Sequence, residues 1–221
     1  MALHPFAPLI GIYSPTFIYP ANILPSPKTP FINYGFNIDS QEYIFNENPK
    51  AIVVFIGGFC DTIMCAVYRE FTAFNKKSCV KIYASFKSTR LFRDYLPILS
   101  QSKLPLFVIA HSWGASNFYK AMCNINSNHI SLHYLLTLDP VGYNTPHNRP
   151  IHINLWENVY IDAKSNNLCR TNILALIGGA WNSIKVSDNN IALCSPIHHA
   201  NISQMMQYSH FIEEITKIAG D

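Results

Sequence analysis

Leu106-Phe107-Val108-Ile109-Ala110-His111-Ser112-Trp113-Gly114-Ala115 is the stretch whose reading decides the fold. Pro105 bounds an unbroken apolar run, which stops at a serine flanked by His111 and Trp113. Four to eight apolar, β-branched or aromatic residues without alternation read as a strand buried on both faces of a parallel sheet. Small residues follow and open a helix expected over Trp113 to Asn124, with Phe118, Ala121 and Met122 inward. One serine therefore sits on a strand-to-helix turn, with Ala110 two places before it and Gly114 two places after. The plain structural alternative is that Ser112 is simply the N-cap of that helix.

Upstream, Ala51 to Ile56 is the strongest strand of the first half and runs into Gly57-Gly58-Phe59-Cys60-Asp61. Ile63, Met64, Val67, Phe71 and Phe74 then recur at helical spacing, with Asp61 or Thr62 as N-cap. Gly57-Gly58 is either a turn needing positive φ or a place where backbone approaches a ligand closely. Glu42 to Phe45 reads as a short edge strand and Cys79 to Phe86 as a full one. Ser88 to Gln101 reads as a helix broken near Pro97.

Downstream, Ser131 to Leu138 is a strand ending at Asp139-Pro140, and Ile153 to Ile161 is a strand ending at Asp162. Residues 163 to 197 show no clear period, and His198-His199 precede a final helix over Ala200 to Ile218. Strands alternating with helices predict an α/β fold, a mostly parallel central sheet covered by helices on both faces. Ligands in such sheets bind at the carboxyl ends of the strands. Those ends carry Gly57-Gly58, Ser112, Asp139 and Asp162, with the two histidines later in the chain. A serine hydroxyl becomes a nucleophile when a base takes its proton and a carboxylate orients that base.

Composition bounds the rest. The 221 residues suffice for one large domain with a sizeable core. Charged residues are only 13%, about half the usual share, so such a chain buries much and exposes some apolar surface. A net charge of +3 without a basic cluster interleaved with aromatics argues against a nucleic-acid partner. The six cysteines form no C-x-x-C pair, which disfavours zinc; no metal and no cofactor is expected. Residues 1 to 35 are rich in proline and aromatics and read as an extended arm packed on a single domain, 36 to 221. Pro5, Pro8, Pro15 and Pro20 interrupt any apolar core there, so neither a cleaved signal peptide nor a transmembrane segment is expected. The expected location is cytoplasmic, or outside the cell by a route that needs no cleaved signal.

The Ala110-x-Ser112-x-Gly114 pattern resembles the G-x-S-x-G nucleophile elbow of the α/β-hydrolase superfamily, with alanine at the first glycine. The chain order Ser, Asp, His is also that superfamily's order. The resemblance spans roughly residues 45 to 215, and the lipase, esterase and thioesterase branches are nearest. It implies a serine hydrolase of a carboxylic ester or thioester, acting on a small-molecule or lipid acyl substrate through an acyl-enzyme. A transient contact with a membrane surface is compatible with that. The implied nucleophile is Ser112 and the base His199, with His198 as alternative. The acid is Asp139, in the turn after the elbow's neighbouring strand, in preference to Asp162 one strand further on. The implied oxyanion hole is the N–H of Trp113 with that of Phe59, or of Gly58 in its place; the superfamily's loop histidine is replaced here by glycine. His111 beside the nucleophile implies packing or hydrogen bonding. The alternative of another class is an inactive hydrolase fold serving as a binding or interaction module.

Overall fold

The computed structural model describes residues 16–19, 48–59, 61–125 and 130–220. Glu42 to Phe45 and most of the proline-rich arm lie outside them. Among the described residues seven strands form one sheet: β1 (Thr16–Tyr19), β2 (Ala51–Gly57), β3 (Cys79–Ser85), β4 (Leu106–His111), β5 (Leu132–Leu138), β6 (Ile153–Ile161) and β7 (Asn189–Leu193). Their spatial order is β1-β3-β2-β4-β5-β6-β7. β2 to β7 are all parallel, and β1 runs antiparallel along β3 at one edge. The architecture is the expected one, a mostly parallel sheet with helices on both faces.

The unalternating strands have a direct physical cause. Both faces of β2 and β4 are covered, so every side chain in them is buried. Val53, Phe55, Phe107 and Ile109 face helices α2 (Ala66–Ala73), α6 (Ile202–Gln207) and α7 (Phe211–Ala219). Ile52, Val54, Val108 and Ala110 face α3 (Thr89–Ser100) and α4 (Trp113–Cys123). Trp156 and Trp181 complete this second layer. No helix among the described residues is long and apolar enough to cross a membrane.

Three elements depart from expectation. The helix after β2 is two helices, α1 (Asp61–Met64) and α2, because Cys65 turns left-handed at φ 51°. The Asp61 carboxylate accepts the N–H groups of Val67 and Tyr68, at 2.7 and 3.3 Å, capping the start of α2 from across the break. Apolar spacing runs on through the break and hides it. α3 continues through Pro97. The residues that hold it there are Phe92, Leu96 and Leu99, all buried, with Phe92 edge-on to Phe118. Packing of that face outweighs the roughly 3 kcal/mol that an interior proline costs. The final helix is likewise split into α6 and α7. Buried Glu157 of β6 accepts the backbone N–H and the ring Nδ1–H of His210 at 3.0 and 2.7 Å, which pins the break. Within residues 163 to 197 lie a 3₁₀ turn (Lys164–Asn166), α5 (Arg170–Ile177) and β7, the sheet's sixth parallel strand.

Candidate active site

Ser112 sits at the end of β4 with φ 55° and ψ −132°, a conformation a non-glycine residue holds only when its surroundings impose it. Its N–H donates to Leu138 O at 3.1 Å, and its carbonyl accepts from Ala115 and Val141 at 3.0 and 3.2 Å. The turn is thus tied to the end of β5 as well as to its own helix. The side chain makes no capping bond to α4. Instead Ser112 Oγ lies 3.0 Å from His199 Nε2.

The small residues around the elbow follow from close approach. A Cβ on Gly114 would stand 2.7 Å from Gly57 O and 3.0 Å from Ile56 Cγ2, so only glycine lets α4 pack on the end of β2. A Cβ on Gly58 would stand 2.5 Å from Ser112 Cβ and 3.0 Å from His111 O. The glycine turn after β2 therefore lies against the nucleophile candidate. At the other flank, the Ala110 methyl is fully buried in the core beneath α3 and α4.

His199 lies in the loop before α6. Its Nδ1–H donates to Asp139 Oδ2 at 2.6 Å, which leaves Nε2 as the acceptor facing Ser112. Its backbone is held on both sides: His199 N–H donates to Asn172 Oδ1 at 2.9 Å, and His111 Nε2–H donates to His199 O at 2.9 Å. The His111 and His199 rings are 4.5 Å apart. Burial, followed by the neighbouring His199, pushes His111 down to about 3, so it is a neutral hydrogen-bond donor. Asp139, fully buried and itself at φ 39°, has its N–H on Val159 O. Burial pushes its carboxyl up. The His199 hydrogen bond and charge, Lys164 and the Ile161 N–H together outweigh that and hold it below the usual carboxylate value.

The structure brings Ser112, His199 and Asp139 into one hydrogen-bonded line with the Gly57-Gly58 turn beside it. It leaves the two alternatives outside that line. Asp162 is exposed beyond the end of β6, with its N–H on Leu193 O. The His198 ring faces Thr171 Oγ1 at 3.4 Å and the Ala200 N–H at 3.3 Å. Trp113 opens α4, and its ring stacks edge-on with Phe59 at 5.4 Å between centroids. Phe86 lies 5.7 Å from Phe59 and closes the aromatic group. Among the described residues no cluster of His, Cys, Asp or Glu could hold a metal ion.

Sequence reasoning missed Lys164 and Asn172. Both are buried and both contact the Asp139–His199 pair. A lysine and an asparagine in an aperiodic segment carry no local signal of this. Only the return of the chain after β6 places them.

No family model matches the chain, and no curated protein matches it in sequence. Among solved structures it is similar to a type II thioesterase of the yersiniabactin biosynthetic pathway, at 8% identity and TM-score 0.48 over 79% of this chain and 95% of that one. It is also similar to an α/β serine hydrolase without a lid from Xanthomonas campestris, at 10% identity and TM-score 0.47 over 79% and 85%. The reading of the site rests on the chain's own geometry.

Proposed function

We propose that the chain is a serine hydrolase that cleaves a carboxylic ester or thioester of an acyl substrate through an acyl-enzyme. One observation carries this reading: the Ser112 hydroxyl ignores the helix it could cap and points at a histidine whose other nitrogen is held by a buried carboxylate. A serine kept only as a cap would bond its own helix.

In this mechanism His199 Nε2 takes the Ser112 proton as Oγ attacks the carbonyl carbon. Asp139 fixes the tautomer and stabilises the imidazolium that forms. The tetrahedral oxyanion needs donors already in place. The Trp113 N–H, at the positive end of α4, is one. The second is the N–H of Phe59, or of Gly58, in the turn packed on Ser112. His199 then protonates the leaving alcohol or thiol; next it takes a proton from a water that attacks the acyl carbon, the acyl–Oγ bond breaks, and His199 returns the proton to Ser112 as the acid leaves. The aromatic group beside the elbow supports an acyl substrate: Phe59 is 52% exposed and stacks on Trp113. Ile177, 70% exposed, precedes Gly178, which lies close against Val141 and near Trp113 Nε1.

The test is hydrolysis of short p-nitrophenyl esters and acyl thioesters by the wild type and by Ser112→Ala. The variant should lose on the order of 10⁴ or more in turnover with an unchanged circular dichroism spectrum. Wild-type turnover in Ser112→Ala would end the proposal.

A further inference from the structure

The mechanism above uses one oxygen of Asp139. The other, Oδ1, accepts the Ile161 N–H at 2.9 Å and lies 2.7 Å from Lys164 Nζ. Lys164 Nζ also donates to Ile161 O at 2.7 Å. Lys164 opens the 3₁₀ turn after β6, and Ala163 before it is left-handed at φ 45°, which folds the chain back onto the carboxyl edge of the sheet. The lysine is as buried as the pair it serves: 3% exposed, against 0% for Asp139 and 2% for His199. Lysine is almost never fully buried without a partner. A buried ion pair is also commonly no more stabilising than apolar residues of the same volume. Packing alone therefore does not account for a cation here, and Asp139 already has one N–H on each oxygen without it.

Resting on the serine-hydrolase reading, we propose that Lys164 is a positioning residue that shares the Asp139 carboxylate with His199 and sets the pH at which the site becomes active. In a Ser-His-Asp line the carboxylate's charge favours the imidazolium. A lysine ammonium on the same carboxylate competes for that charge and so favours the neutral ring, the form that can accept the serine proton. The charged and titratable groups facing His199 come from four places. Asp139 and Lys164 lie in the turns after β5 and β6, His111 at the end of β4, and His198 precedes His199 in its own loop. Burial keeps both neighbouring histidines in their neutral forms at neutral pH. Lys164 is the cation that touches the carboxylate.

The experiment is kcat/KM against pH for the wild type, Lys164→Met and Lys164→Arg, with Ser112→Ala as control. Lys164→Met should move the acid limb upward by about one to two pH units, the order expected for removing a unit charge across a shared carboxylate at an effective dielectric near 20. Lys164→Arg keeps the charge and should restore the limb towards the wild-type position. A Lys164→Met profile lowered by one factor at every pH, with its acid limb unmoved, overturns the proposal while leaving the hydrolase reading intact. Activity surviving in Ser112→Ala defeats the underlying reading instead. Should Lys164→Met not fold, the ¹⁵Nζ signal of Lys164 in the unaltered protein decides. It should step at the pH of the acid limb, and a signal that does not move there overturns the proposal.

Discussion

Replacing Gly58 by alanine separates chemistry from scaffolding in the turn after β2. The added Cβ would stand 2.5 Å from Ser112 Cβ, 3.0 Å from His111 O and 3.2 Å from Ser112 Oγ. Ordinary contact begins near 3.4 Å, so the turn or the elbow must yield by about 1 Å. The first two atoms belong to a β-carbon and a backbone, and no rotamer change relieves them. Overpacking of this kind costs about 1–3 kcal/mol, which for a chain of this size lowers Tm by roughly 2–12 °C. The effect on turnover should be much larger. Losing one oxyanion donor lowers the rate by about 10²–10³, and a 1 Å displacement of a catalytic group can cost a further factor of about 10². The assay is steady-state hydrolysis of p-nitrophenyl butyrate well below the melting temperature, with Ser112→Ala as the baseline. A kcat fall of at least about 10² with a native-like spectrum is expected. A folded Gly58→Ala enzyme within a few-fold of wild type would refute the placement of the oxyanion hole in this turn.

Two further outcomes follow from contacts of the site and its scaffold. Asp139→Asn removes the carboxylate that holds His199 Nδ1–H and should lower kcat by on the order of 10⁴, whereas Asp162→Asn, in exposed chain beyond β6, should leave turnover near wild type; the reverse ranking in measured kcat would hand the acid's role to Asp162. The second concerns His210, raised above its ordinary value of 6.5 by its hydrogen bond to Glu157 and then by that carboxylate's charge. A raised folded value means the pairing stabilises fully below the unfolded value and fades as pH rises through the folded one. The ring is 56% exposed, so solvent screening limits the effect to less than about 1 kcal/mol. His210→Gln should therefore lower Tm more on the acid side of 6.5 than in alkaline buffer. Equal losses measured by calorimetry on both sides would show that charge plays no part.

Much of the candidate site was legible because each member stands where a buried strand or a loop ends. The run from Leu106 to Ala110 announces itself by being apolar at every position, since β4 has no exposed face. Ser112 and Asp139 each follow such a strand, and His199 precedes a helix, so their convergence follows from parallel topology. What stayed hidden depends on contacts distant in sequence. The break at Cys65 is made by the Asp61 carboxylate reaching Val67, and the break before Phe211 by Glu157 reaching across from β6. β7 shows no strand period because Asn189-Asn190-Ile191-Ala192-Leu193 is polar at its start and largely exposed. It joins the sheet through its backbone and through Asn190 Oδ1, which accepts from Asn158 Nδ2 at 2.9 Å. Lys164 shows no periodicity at all, and its contact with Asp139 depends on where β6 stops.

The central claim is that the line from Asp139 through His199 activates Ser112. Labelling with a fluorophosphonate probe tests it most directly, because only a serine whose proton can be taken by a nearby base reacts rapidly. The folded wild type should take up one probe per chain, mapped by peptide mass spectrometry to Ser112. His199→Gln should label far more slowly, and Ser112→Ala should not label. A folded wild type that stays unlabelled, or a probe that remains attached at another residue in Ser112→Ala, would contradict the account.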